Sequence, residues 1–483
     1  DVWMARLVVV SNRVSAPGHA GAAASGGLAM AISTDLNANG GLWFGWSGDT
    51  VEKFTGAVSV RKYGEATIAT VDLEAQDVEE YYNGFANSTL WPLCHYRIDL
   101  AAYDRSFGTG YERVNARLAD ALRPLLREDD VIWVHDYHLV PLARALRRAG
   151  IENRIGFYLH IPWPPCQIMA TLPRHHQFVD ALFSYDLVGF QTEHWLSAFR
   201  DYVRDECGAK VRSDGLMEVG GKAIRVEAFP IGIDVENFRD LAAGETGSRA
   251  FRDMMTSANG RAMIVGVDRI DYTKGLPEKF AGYEQFLIDH PEYRERVFML
   301  QIGQPSRTEV HDYAELRSAL DSQAGHINGE YGARDWVPLR YITRSQPRDE
   351  LAGTFRAARV GLVTPLRDGM NLVAKEYVAA QDPADPGVLI LSRFAGAALQ
   401  MEEALLVNPY SREDISDAIC RALAMPLEER QSRWQALFDR LVREDLAWWR
   451  RSYVEALKGA GGDGADGEED GIRAGSAGRR AVH

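Results

Sequence analysis

Short apolar runs recur along this chain, each ending in polar residues and each followed by a segment long enough for a helix. Arg6–Ser11 (RLVVVS), Val131–Val134, Ile155–Leu159, Leu187–Phe190 and Ile224–Ile231 carry the pattern through the first half. Ala262–Val267, Phe298–Ile302, Val360–Thr364, Gly387–Ser392 and Ala404–Val407 carry it through the second. Uninterrupted apolar runs suit strands covered on both faces. Their alternation with helix-length segments predicts an α/β chain with two doubly wound parallel sheets rather than one barrel. Length points the same way, since 483 residues exceed one ordinary core. Open sheets of this kind bind ligands beyond the carboxyl ends of their strands, so two halves predict a cleft between them.

The residues at those strand ends are therefore the candidates for chemistry. Arg13 follows the first strand, and a small-residue loop, His19 to Gly27, leads from there into a helical pattern at Leu28–Ile32. The loop has the strand-loop-helix form that brings backbone N–H groups to a phosphate, but no G-x-G-x-x-G and no Gly-Lys-Ser/Thr. His135-Asp136-Tyr137-His138 and His160-Ile161-Pro162 end two strands of the same half. In the second half, Arg269 and Lys274 form a compact positive pair. They suit a diphosphate leaving group, or equally a salt bridge to Asp268 or Asp271. Arg367-Asp368-Gly369-Met370-Asn371 then opens a helix at Leu372, with Glu376 one turn on. Free amides at that helix start suit an anion, and the two carboxylates suit hydroxyls; a capped turn with a solvated Glu reads as well from the stretch alone. Among the aromatics of residues 40–110, Tyr82 and Trp91 read either as core or as cleft groups.

Composition removes several classes of function. Acidic residues outnumber basic ones, 68 to 54, for a formal charge of −14, which argues against a nucleic-acid or anionic-membrane binder. Cys94, Cys166, Cys207 and Cys420 form no Cys-x-x-Cys pair, so neither a zinc site nor a disulfide framework is expected and a reducing cytoplasm fits. No run reaches membrane-span length, and no signal-peptide pattern precedes the first strand. The expected organisation is residues 4–238 as one domain, 239–439 as the second, 440–458 as a helix returning to the first, and 459–483 as a disordered tail.

Many motifs in one order now point to a family. Arg6-Leu-Val-Val-Val-Ser-Asn-Arg13, Ser25-Gly-Gly-Leu28, Gly40-Gly-Leu-Trp-Phe-Gly-Trp-Ser-Gly48, Tyr81-Tyr-Asn83 and Leu90-Trp-Pro92 lie in the first domain. His135-Asp-Tyr-His138 and Leu159-His-Ile-Pro162 follow, then Val267-Asp-Arg-Ile-Asp-Tyr-Thr-Lys-Gly275 and Thr364-Pro-Leu-Arg-Asp-Gly-Met-Asn-Leu-Val-Ala-Lys-Glu376. From Arg6 to Tyr453 the chain resembles the trehalose-6-phosphate synthases, retaining glucosyltransferases with two Rossmann-like domains (the GT-B fold). The resemblance implies transfer of glucose from UDP-glucose to glucose 6-phosphate, giving α,α-trehalose 6-phosphate and UDP. It implies that Arg13, Tyr82, Trp91 and Arg307 hold the acceptor phosphate, with Asp136 near the reacting sugars. On the donor side it implies Arg269, Lys274 and the amides around Asn371 and Leu372 for the diphosphate, and Glu376 for the ribose. Asp368 and His160 would hold the donor glucose, within the loop that includes Gly369 and Met370, and Gly27 would let the first loop approach. It also implies substitution from the front face without a covalent nucleophile, no cofactor and no metal, a homo-oligomer (dimer or tetramer), and a separate phosphatase to take the product. Trp163-Pro164-Pro165-Cys166 departs from the Phe-Pro-Ser/Thr more usual in the family, at a place expected beside the sugar pocket. Ser345–Arg348 is expected near the base. Rival readings are a glucosylglycerol-phosphate synthase with glycerol 3-phosphate as acceptor, a catalytically silent sugar-phosphate sensor, and an NAD-dependent oxidoreductase. The last lacks its glycine fingerprint.

Overall fold

The computed structural model describes residues 5–14, Ile32, Leu36, 40–306 and 311–460. The readings of Gly27, Arg307, the loop before Leu28 and the tail beyond Ala460 lie outside the described residues.

Ten strands form the first sheet. They are β1 (Leu7–Arg13), β2 (Gly41–Val51), β3 (Ser59–Tyr63), β4 (Ala66–Glu74), β5 (Val131–His135), β6 (Arg154–Leu159), β7 (Leu187–Phe190), β8 (Lys210–Val211), β9 (Met217–Val219) and β10 (Lys222–Ala228). Their spatial order is β3-β4-β2-β1-β5-β6-β7-β10-β9-β8. Six more form the second: β11 (Ala262–Arg269), β12 (Val297–Gln304), β13 (Leu339–Ile342), β14 (Val360–Val363), β15 (Val388–Ser392) and β16 (Leu405–Val407), in the order β13-β12-β11-β14-β15-β16. The second sheet is parallel throughout. The first is parallel at its centre, but β3 and β9 pair antiparallel with their neighbours. The antiparallel pairs β3–β4 and β9–β10 turn on two-residue hairpin loops, Gly64-Glu65 and Gly220-Gly221, whose glycines take positive φ.

Alternation along the central strands explains the apolar runs. Val8, Val10, Ile132 and Val134 enter one core layer, while Val9, Trp133 and Tyr158 enter another that also holds residues of the second half. That second layer receives the last helix, Leu446–Gly459. Its Tyr453 hydroxyl donates to the Phe157 carbonyl at 2.8 Å, and its ring stacks on Trp133 with centroids 4.5 Å apart. A Cβ on Gly156 or Gly189 would sit 2.4 or 2.8 Å from the Tyr453 side chain, so both strand glycines make room for it. The chain thus crosses between the halves twice, and the crossings touch. Leu446 N–H donates to the Ile233 carbonyl at 3.1 Å, and Gly232 has no room for a Cβ against Glu444 and Asp445.

Between β4 and β5 the chain winds from Val78 to Leu90 as a wide π-type helix. This element carries Tyr82, and wide helical turns of this kind are found disproportionately at functional sites. All four cysteines are free, and no helix among the described residues is long and apolar enough to cross a membrane.

Candidate active site at the interdomain cleft

The loop after β14 is built by its own side chains. Asn371 takes φ 99° and caps the helix Leu372–Ala380: its Oδ1 accepts from Ala374 N–H, and its Nδ2 donates to Asp368 Oδ2, both at 3.1 Å. Lys274 reaches the same Asp368 oxygen at 2.5 Å. Burial works to raise the Asp368 carboxyl, but the charge and hydrogen bond of Lys274, with His95 and Asn371, outweigh it and hold the group below the usual range. The Met370 carbonyl accepts from Ala397 N–H at 2.9 Å, locking the loop from behind. Gly369 is required where it stands: a Cβ there would lie 2.0 Å from the His160 carbonyl. Opposite, the Trp195 indole donates to the Gly369 carbonyl at 3.0 Å. The Gly369 loop of the second half is therefore seated on the strand ends of the first.

Those strand ends hold Asp136 and His160. Asp136, at the end of β5, takes φ 78°, an unusual conformation for a residue with a side chain, and its Oδ1 accepts His160 N–H at 3.1 Å. His160 Nε2 lies 3.0 Å from His135 Nδ1, and its Nδ1 lies 3.4 Å from Gln191 Nε2. The Gln191 amide is oriented by Ile231 N–H, which donates to its Oε1 at 3.0 Å. Gln191 can then only donate to His160 Nδ1, so the His160 proton sits on Nε2 and points to His135. Desolvation pushes His160 down to about 3 and His135 well below its ordinary value, so both rings are neutral. Lys375 donates to the other side of the same crossover, 2.7 Å from the Ile231 carbonyl, and to Gln400 at 2.8 Å.

A second cluster joins the halves further along. Arg269, at the end of β11, lies over the Trp91 ring at 5.4 Å, and the Trp91 indole donates to Asp271 at 3.4 Å. Asp271 also accepts from Thr273 N–H, the Thr273 hydroxyl and the Tyr313 hydroxyl. The expected alternative partners of Lys274 are thus occupied otherwise: Asp268 takes Lys279 at 2.6 Å, and Lys274 takes Asp368, 94 residues away in sequence. At the outer end, exposed Arg13 lies over Trp46 at 5.7 Å and against Gly48, where a Cβ would meet its guanidinium at 2.4 Å. Tyr82 packs edge-on to Trp46 at 5.6 Å and is stacked on His138 at 6.0 Å.

Glu376 stands one turn into the helix Leu372–Ala380. Burial raises its carboxyl to about 7 against the pull of Arg348, 3.9 Å away, which brings the Ser345–Arg348 segment beside it. Trp163 does not line the cleft: it is buried against Phe199 and Phe190 with edge-on rings 5.0 and 6.2 Å apart, because the bulky indole fills the core behind His160. Gln191 and Lys375 went unmarked in the sequence, His135 was marked only as part of a strand end, and Asp271 only as a salt-bridge partner. The rule that singled out Asp136 and His160 would have found Gln191, which directly follows β7.

Two facing Rossmann-like halves, with a cation-bearing helix start on one and paired His and Asp strand ends on the other, define a nucleotide-sugar transferase of the GT-B type. The sequence model of glycosyltransferase family 20 matches residues 6–459, and the chain belongs to that family. It is 49% identical to the trehalose-6-phosphate synthase of Sinorhizobium fredii over 456 residues, covering 94% of this chain and 98% of that one. The UDP-forming α,α-trehalose-phosphate synthase of Burkholderia xenovorans, solved with glucose-6-phosphate, superposes with a TM-score of 0.90 at 46% identity, covering 94% of this chain and all of that one. An Escherichia coli structure bound with UDP-2-fluoro glucose gives 0.90 at 46% identity, with coverage of 94% and 99%.

Proposed function

We propose that this chain transfers glucose from UDP-glucose to glucose 6-phosphate with retention, forming α,α-trehalose 6-phosphate and UDP. The observation that carries the reading is the Lys274–Asp368–Asn371 cluster at a helix start, seated against Asp136 and His160, in a family whose solved relatives bind glucose-6-phosphate and a UDP-glucose analogue. Residues 4–238 with the returning helix 440–458 serve the acceptor, and residues 239–439 the donor. Arg269, Lys274 and the amides at Asn371 and Leu372 take the diphosphate, Glu376 the ribose, and Asp368 with His160 the donor glucose; Gly27 gives the first loop its approach. Arg13, Tyr82, Trp91 and Arg307 take the acceptor phosphate, and Asp136 the sugar hydroxyls beside the reacting carbon.

The chemistry follows from charge. Cleavage of the sugar–phosphate bond leaves positive charge on the sugar and negative charge on the diphosphate, which two cations and a helix N-terminus stabilise without a metal. Retaining hydrolases need a free carboxylate nucleophile. Asp368 is held through Oδ2 by Lys274 and Asn371, and Asp136 through Oδ1 by the His160 amide, and neither is assigned as a nucleophile; the front-face route is what the family resemblance implies. Attack from the face of the departing phosphate, which takes the acceptor proton, needs no such group. The enzyme works in the cytoplasm as a homo-oligomer and passes its product to a separate phosphatase.

The deciding assay is UDP release from UDP-glucose in EDTA, with glucose 6-phosphate and glycerol 3-phosphate offered separately. Release with glucose 6-phosphate and a non-reducing disaccharide phosphate as product is expected. Turnover with glycerol 3-phosphate alone, or binding without turnover, would overturn the reading.

A further inference from the structure

On the outer side of the first domain, three segments bring together His175, His176, Glu206 and Cys166. One ligand atom each from His175, His176 and Glu206 lie within 4.8 Å of one another. His176 Nε2 is 3.5 Å from Glu206 Oε2, and Cys166 Sγ is 3.7 Å from Glu206 Oε1. Nitrogen, oxygen and sulfur ligands around a tetrahedral zinc ion stand about 3.3–3.6 Å apart, given metal–ligand distances of about 2.0–2.3 Å. The two spacings to Glu206 are close to that, whereas Cys166 stands outside the group that closes within 4.8 Å, so its side chain must turn in as an ion binds.

The surroundings fit a metal ligand set rather than a chance surface pair. The Tyr202 hydroxyl lies 2.6 Å from His175 Nδ1, the kind of outer hydrogen bond that orients a ligating imidazole. Tyr202 and Glu206 share one face of the helix Glu193–Cys207, four residues apart. Imidazole, carboxylate and thiolate together favour a zinc-class ion over magnesium or calcium.

We propose that His175, His176, Glu206 and Cys166 form a structural site for a zinc-class transition-metal ion. Binding displaces the Cys166 thiol proton to solvent as the metal–sulfur bond forms. The ion would tie the segment Pro162–Cys166, which continues directly from His160, to the helix whose other end carries Trp195 and its bond to the donor loop. Cysteine spacing gave no sign of it because the ligands come from separate segments.

The test is calorimetric titration of the untagged, EDTA-stripped chain with zinc chloride, followed by thermal unfolding. One equivalent should bind and raise the unfolding midpoint. His176→Ala and Glu206→Gln should each abolish the rise, and Tyr202→Phe should weaken binding roughly 10–100-fold. With Co²⁺ in place of Zn²⁺, the parent chain should show a sulfur-to-metal charge-transfer band that Cys166→Ser loses. Absence of zinc binding, binding unchanged in His176→Ala and Glu206→Gln, or a Co²⁺ complex without that band would each overturn the site. None of these readouts depends on turnover, so the site and the proposed reaction stand or fall separately.

Discussion

The two ends of the cleft hold their cations differently. Lys274 is fixed by a charged hydrogen bond to Asp368, which Asn371 supports and which sits against the opposite half through Gly369. Arg13 is exposed and held by stacking on Trp46 and by the bare backbone of Gly48. The Lys274 end is fixed by its own neighbours, whereas the Arg13 guanidinium makes no hydrogen bond to another described residue. A preset cation belongs where charge develops in the transition state, because it costs no reorganisation there. An adaptable one belongs where a stable phosphate dianion has only to be bound.

The sharpest break in that comparison is Lys274→Ala. It should lower kcat by roughly 10²–10³, the size of losing one preorganised donor at a leaving group, about 2.7–4 kcal/mol. Single-turnover UDP release would show it directly. A rate near the parent's would remove Lys274 from the leaving-group site.

The donor end also carries a group held against its preference. Glu376 is raised to about 7, first by burial, with Arg348 opposing. The sign follows from linkage: the folded chain binds an extra proton between the ordinary value of 4.5 and about 7. Stability therefore falls as pH rises through that window, by about 3 kcal/mol. Glu376→Gln should flatten the fall and be more stable than the parent above pH 7, while raising KM for UDP-glucose. Denaturant midpoints at pH 5 and pH 8 test this; an unchanged slope in the variant would mean that Glu376 is not the group responsible.

At the acceptor end, Arg13→Ala should raise KM for glucose 6-phosphate by about one to two orders of magnitude, the worth of a hydrogen bond to a charged group, about 1.5–3 kcal/mol. KM for UDP-glucose and the unfolding midpoint should hardly move, since an exposed side chain contributes little to packing. If kcat falls with KM unchanged, Arg13 acts in the transition state and the contrast with Lys274 disappears.

What could be read from the sequence divides along the same physical line. The strands were legible because burial on both faces forces continuous apolar runs, and the loop 364–372 because Gly369 and Asn371 mark its backbone. The partner of Lys274 was not, since local spacing offered Asp268 and Asp271 and the fold supplied Asp368 from another strand end. Nor was the cross-bracing through Gln191 and Lys375, whose shared partner is one peptide at Ile231. Local rules fix backbone and burial; they do not say which distant polar groups the fold will bring into register. Trp163 shows the same limit: its segment was expected beside the sugar pocket, and the fold buries its ring against Phe199 and Phe190.

The smallest effect tests whether the two ends are coupled at rest. Trp195 belongs to the first half and donates to the Gly369 carbonyl of the donor loop. Replacing Trp195 by 3-benzothienylalanine keeps the bicyclic ring in that buried position and removes only the N–H, so the loss should be about 1 kcal/mol, typical of one hydrogen bond. If the donor loop rests on the first half before substrate binds, that loss should lower the denaturant midpoint of the free enzyme and raise KM for UDP-glucose a few-fold. If the contact forms only on closure, the free enzyme should be indifferent to the substitution and KM alone should rise. The first result would mean that the donor end is preset by the opposite domain as well as by Lys274 and Asn371, and would widen the contrast with Arg13. The second would place the setting of the loop within its own domain.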